Sequence, residues 1–429
     1  MKIFTKYLCI LWLTIISYSA FAIQIIDAEV ESAISSIAEP IIKASNVKDV
    51  KISVILERSP NAFATHGNNI ILNSALIGMF PDPSVLRGVI AHEIGHIKAG
   101  HIIKMENKLQ YSNLLLATSV LLSLATTILI PSNSMDGDRL IAPYMLGSHM
   151  LERSILQFSR ENEYVADTAA QSFLNKAGYS DEGLVNLLKY FQSHSNITGE
   201  ARYDITHPLS AERISNLQMH NKVSNYLQED NKISFMYKMA SAKLASVTNI
   251  SSKSIKRDED AERYFEIHKL ERGGRILEAT KEIDILIKKY PNYPFFLQKK
   301  AELLLSAGSK DALTYYEKAI AIHNSKILKI EKSIAQIVLS NDKNKIAESI
   351  SILEIGAGSF GNNSTIMNYL AIAYDKIGNK AMSIYYRALR EFWFGDKTKA
   401  KSLAKMAKMH AGNSSSILEK INDIINEER

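Results

Sequence analysis

VIAHEIGHIKAGH, Val89 to His101, decides how this chain reads. Residues four apart share a face of an α-helix, so His92 and His96 can grip one metal ion with their imidazoles. Glu93 stands about 100° round the helix from His92. Its carboxylate therefore falls beside the ion's open position, where it can act as a general base. The competing reading is a solvated helix with two chance histidines. Val89, Ile90, Ala91, Ile94 and Ile97 argue against it, because they make the helix a buried one. Two unpartnered imidazoles and a carboxylate would be costly there. His101 is out of register for the longer pattern HExxHxxGxxH, since Ala99 and Ile102 stand where glycine and histidine are needed. It lies about 140° round from His96 on a continuous helix and is expected on the polar face.

Working outward, Asp82-Pro83 starts this helix with an N-cap and a proline at its first position, and the helix is expected to run to about Lys108. KISVILE (Lys51–Glu57) reads as a short strand, and NNIILNSAL (Asn68–Leu76) as a second one running into a helix. The N-terminus, MKIFTKYLCILWLTIISYSAFA, has a charged start, an apolar run and an A-x-A-like end. That pattern is a signal peptide cut after Ala22. The only cysteine, Cys9, falls inside it. Disulfides are then excluded from the remainder, and a bacterial periplasm is the expected destination. The formal charge of +6 over 429 residues is mild and gives no support to nucleic-acid binding.

The third metal ligand must come from elsewhere. SRENEYVAD, Ser159–Asp167, lies on a helical stretch. HEIGH followed by this segment resembles the gluzincin metallopeptidases that include the HtpX heat-shock proteases and the CAAX-type proteases. The resemblance implies a zinc ion held by His92, His96 and Glu163, with Asp167 orienting a ligand histidine. Glu161 matches a variable position of the pattern, and Val165 stands where the family usually carries an acidic residue. THPLSAERI, Thr206–Ile214, is similar to the family's His-Pro element, which places His207 in the cleft and Arg213 on the following helix. An imidazole there can donate to an oxyanion or sit as a fourth ligand on a resting zinc. NAFATHGNNIILNSAL resembles the family's edge strand, to which an extended substrate would add by backbone pairing.

Beyond SVTNISSKSIKRDEDAE (Ser246–Glu262) the chain is helical and repetitive. Gly274 and Gly308 stand 34 positions apart, with Ala279 and Ala312 following them, and YPNYP (Tyr290–Pro294) falls at a repeat end. The period resembles tetratricopeptide repeats, and an irregular helical bundle is the alternative. The expected organisation is a signal peptide over 1–22, a zinc metalloprotease domain over 23–245, a linker over 246–259 and repeats over 260–429. The fold class is α+β, of zincin type with a small sheet, followed by an all-α superhelix. That order resembles the periplasmic β-barrel assembly-enhancing branch of the family. It implies a zinc endopeptidase acting on unfolded or misassembled envelope proteins, with repeats for substrate or for the outer-membrane barrel assembly machinery. A second reading is an assembly chaperone or adaptor with a mostly resting zinc site, against which an intact Glu93 argues. Leu114–Ile130 is expected to cover the cleft or to lie on a membrane surface, because a single crossing would part His96 from Glu163.

Overall fold

The structure, a computed structural model, describes residues 24–104, 160–194, 207, 210–219, 226–248, 250, 255–360 and 363–426. Leu114–Ile130 and the expected signal peptide over 1–22 lie outside these. No helix among the described residues is long and apolar enough to cross a membrane.

Asp27 caps helix α1 (Ala28–Ser45), its side chain accepting from the Val30 backbone N–H at 2.9 Å. Val30, Ala33, Ile34, Ile37, Ala38 and Ile41 follow at helical spacing and are all buried. The sheet has four strands: β1 (Gln24–Ile25), β2 (Lys51–Ile55), β3 (Ala62–Thr65) and β4 (Asn69–Asn73), in the order β1-β2-β4-β3. β2 runs parallel to β4, with Ile52 opposite Ile70. β3 returns antiparallel through a turn with Gly67 and Asn68 at positive φ, which leaves it on the edge. β4 passes directly into α2 (Ser74–Met79). The strand and strand-into-helix expectations for Lys51–Glu57 and Asn68–Leu76 match these elements.

Asp82 caps α3 (Pro83–Lys98) through the Ser84 N–H at 2.9 Å, with proline in the first turn as expected. The helix does not run unbroken to Lys108. It stops at Lys98, and Gly100 takes φ +65° before residues 101–104 resume a helical turn. α3 lies at the centre of a core that also takes in α1, β3, α4 (helical over 160–177) and α5 (Glu182–His194). Two glycines let these helices touch. A Cβ on Gly95 would lie 2.7 Å from the Ala166 carbonyl oxygen on α4, and one on Gly183 would lie 2.2 Å from the Ser84 backbone.

α6 (Ala211–Met219) and α7 (Asn231–Thr248) complete this region, and helices α8 (Glu259–Arg272), α9 (Ile276–Lys289), α10 (Pro294–Ser306), α11 (Asp311–Ile322) and α12 (Lys326–Leu339) follow. Each of α7 to α12 packs on the next. Met239, Ala242 and Ala245 of α7 share one apolar cluster with Tyr264, Phe265, Ile283 and Phe296. Polar groups cross the same junction: buried Glu29 of α1 accepts from the Tyr264 hydroxyl at 2.9 Å and the Tyr293 hydroxyl at 2.7 Å, and pairs with Lys243 at 2.9 Å. One compact unit accordingly runs from Ile25 to Lys345. A second takes in Ile346–Arg429, and comprises most of α13 (Lys343–Phe360) with α14 (Ser364–Ile377), α15 (Lys380–Trp393), α16 (Lys397–His410) and α17 (Ser415–Asn426). The described residues are thus mostly helical, with one small sheet.

Gly95→Ala should force α3 away from α4, because the atom it meets is backbone and cannot swing aside. The expected cost is about 1–3 kcal/mol of stability, together with weaker metal binding, read by denaturant unfolding and by chelator competition.

Candidate metal centre

α3 presents His92 and His96 one turn apart, and α4 presents Glu163 and Asp167 one turn apart across the Gly95–Ala166 contact. His207 reaches the same point from the segment before α6. His92, His96, Glu163 and His207 each offer a donor atom within 4.8 Å of the others, and all four are buried or nearly so. His92 Nε2 is 3.1 Å from His96 Nε2, 3.4 Å from His207 Nδ1 and 3.3 Å from Glu163 Oε2. His96 Nε2 is 3.2 Å from Glu163 Oε1, and His207 Nδ1 is 3.1 Å from Glu163 Oε2. Zinc holds nitrogen and oxygen donors at about 2.0–2.2 Å, so tetrahedral neighbours around it stand about 3.3 Å apart. Donor separations of 3.1 to 3.4 Å are close to that spacing, and the donor set fits zinc.

Groups behind the donors fix their orientation. Asp167 Oδ1 is 2.9 Å from His92 Nδ1, which leaves Nε2 for the centre. Arg213 of α6 bonds Asp167 through Nε at 2.7 Å and Nη2 at 2.9 Å, and reaches Glu163 Oε2 through Nη1 at 2.8 Å. Burial alone would raise both carboxyl groups. Arg213 and His92 outweigh it at Asp167, and His207 and His92 outweigh it at Glu163, so both sit below the usual carboxylate range. Burial opposes charge on His92 too, but hydrogen bonds to Asp167 and Glu163 overcome it and push its imidazole up to about 10. Without metal, the pocket attracts a proton because it is built to hold a cation.

Glu93 stands apart from the donors. Its Oε1 is buried without a hydrogen-bond partner among the described residues, and its nearest cluster neighbour is His207 Nε2 at 3.5 Å. Glu161, at the variable position of the pattern, is exposed, and Val165 is exposed as well.

Residues 27–221 match the model for peptidase family M48. The chain carries an M48 peptidase domain. The β-barrel assembly-enhancing protease of Yersinia pestis is 26% identical over 293 residues, which cover 66% of this chain and 58% of that protein. Its Escherichia coli K12 counterpart is 26% identical over 162 residues, 36% of this chain and 31% of the relative. Metalloprotease LoiP of E. coli K12 is 26% identical over 193 residues, 45% of this chain and 71% of that protein. The chain therefore spans less than two thirds of the assembly-enhancing proteases that it matches. Family and donor set together make this a zinc metallopeptidase domain, in line with the resemblance read from HEIGH and SRENEYVAD.

His101 is not on the polar face expected for it. It is 5% exposed, and its Nδ1 lies 3.0 Å from Nδ1 of His96. The expectation carried an unbroken helix through Gly100, and the turn there swings His101 back beneath the metal helix. Burial and the charges of His96 and Lys104 push its imidazole down to about 4, so it is neutral. Because His96 directs Nε2 at the centre, its Nδ1–H donates to His101. Outer partners of this kind are worth about 10–100-fold in metal affinity. Chelator competition should therefore show His101→Leu losing zinc affinity by that factor, with His101→Gln, which keeps an acceptor, recovering most of it.

Proposed function

We propose that this protein is a zinc-dependent endopeptidase of the bacterial periplasm that cleaves misfolded or misassembled envelope proteins. The observation that carries the reading is Glu93: a buried carboxylate with an open oxygen beside a four-donor metal cluster. In this reading His92, His96 and Glu163 hold the metal, and Asp167 and Arg213 keep the donors in place. Bound zinc polarises the scissile carbonyl and acidifies water. Glu93 takes a proton from the attacking water and passes it to the leaving amine. The names of the Y. pestis and E. coli relatives support an envelope substrate, and the expected signal peptide supports the compartment.

His207 acts as the gate. A carbonyl can only accept, so the 3.1 Å contact of His207 Nε2 with the Ala62 oxygen calls for a proton on Nε2, and Nδ1, which faces Glu163 and His92, would be the donor atom toward a bound metal. Ala62 belongs to edge strand β3. The Asn61 carbonyl bonds inward to Asn73, so the next carbonyl, that of Ala62, faces the open side. A substrate strand adding there competes for the same oxygen, and binding draws His207 away from the centre. Tetratricopeptide-like repeats over 260–429 recruit the substrate or an assembly partner such as the barrel assembly machinery, and the protease domain occupies 23–245. The closed four-donor arrangement also favours a second reading, a chaperone or adaptor with a resting zinc.

Proteolysis of a stalled outer-membrane barrel protein separates the two. Glu93→Gln should retain zinc and lose cleavage by about 10²–10⁴-fold; an unchanged clearance of the stalled protein would favour the adaptor. His207→Ala should keep three donors and raise basal cleavage of an unfolded peptide. Lower cleavage with zinc retained would instead assign His207 to oxyanion stabilisation.

A further inference from the structure

α16 reads KTKAKSLAKMAKMH and holds five lysines with no acidic residue. Its Ala400, Ala404 and Ala407 are fully buried against Ala381, Ala388, Ile421 and Ile424, which settles the direction of every other side chain. At about 100° per residue, Lys397, Lys401, Lys405 and Lys408 fall within one arc of about 80° along the flank beside the buried alanines, and Met409 and Met406 lie farther round, on the side away from them. The two methionines are 77% and 44% exposed, and at the end of α15 Trp393 and its neighbour Phe394 are 42% and 54% exposed. Among the described residues only Lys399 has a carboxylate within reach, Glu391 at 3.0 Å, and Lys408 meets the Asn422 side chain. Lys397, Lys401 and Lys405 have no anionic partner among the described residues.

We propose that this face of the second unit docks on an anionic lipid surface. Lysine clusters on a helix are attracted to acidic headgroups, and tryptophan prefers the headgroup level of a bilayer. The apolar groups here are exposed beside the cations, so they can enter the headgroup layer while the ammonium groups stay at the phosphates. The composition also selects against a partner with fixed acidic sites. α16 has no arginine, the side chain suited to bidentate carboxylate or phosphate recognition, whereas lysines on flexible stems act as point charges that match a diffuse anionic layer. The site does not depend on the peptidase reading.

The test uses the full chain carrying Trp12→Phe, in which Trp393 is the one tryptophan. Its emission should shift to the blue on adding vesicles of phosphatidylcholine with phosphatidylglycerol, and should not shift with phosphatidylcholine alone. Each lysine near such a surface is worth about fivefold in binding, so Lys401→Gln, Lys405→Gln and Lys408→Gln together should raise the half-saturating lipid about a hundredfold. High salt should act in the same direction. No shift with either vesicle, equal shifts with both, or a shift untouched by the triple substitution would overturn the proposal. Binding to a polyglutamate peptide without any response to vesicles would also overturn it, and would assign the face to an acidic polypeptide.

Discussion

The contact of Gly95 with the Ala166 backbone is the constraint on which the metal centre depends. Here two histidines on one helix and a glutamate on another meet at one point across helices that pass closer than a Cβ at residue 95 would permit. A glycine inside HExxH, on the face turned to α4, removes the obstructing Cβ. The same residue that lowers helix propensity is therefore the one that closes the site. Gly183 does the equivalent where α5 begins against the first turn of α3, so the metal helix is held closely on two sides.

Close approach alone would leave a dense set of charges out of water. The solution is a shared cation. Arg213 bonds both Glu163 and Asp167, Asp167 turns His92, and His101 supports His96. Arginine suits this position because its planar fork spans two carboxylates and stays charged when buried. Each outer residue thereby fixes a donor atom and offsets a burial cost, and the centre keeps its shape around a metal ion. Glu93 is the exception. Its Oε1, without a hydrogen-bond partner among the described residues, is an unfavourable feature for stability and a useful one for proton transfer.

Helices α7 to α12 are built into the same body as the metal helix. Glu29, on the α1 helix that packs against α3, is buried among Tyr264, Tyr293 and Lys243. Burial alone would raise this carboxyl, and Lys243 opposes that effect without cancelling it, so Glu29 stays above the ordinary carboxylate range. Cooperative packing continues through α12, and the first compact unit ends near Lys345, well past the polar stretch at Ser246–Glu262.

Spacing in the chain determined much of this. The i, i+4 histidines, the Asp82-Pro83 start, the strands around Ile52 and Ile70 and the mostly helical remainder were all legible, because each is set by neighbours within a turn or a pleat. Tertiary structure decided three further matters. The turn at Gly100 brought His101 under His96, although a continuous helix would have pointed it to solvent. The outward carbonyl of Ala62 became a partner of His207, a backbone acceptor that no side-chain pattern encodes. Glu29 became a partner of Tyr264 and Tyr293, more than two hundred residues away, within one compact unit that runs to Lys345. Local periodicity fixes which way a side chain leaves its own helix, and only the packing of distant segments fixes what it meets.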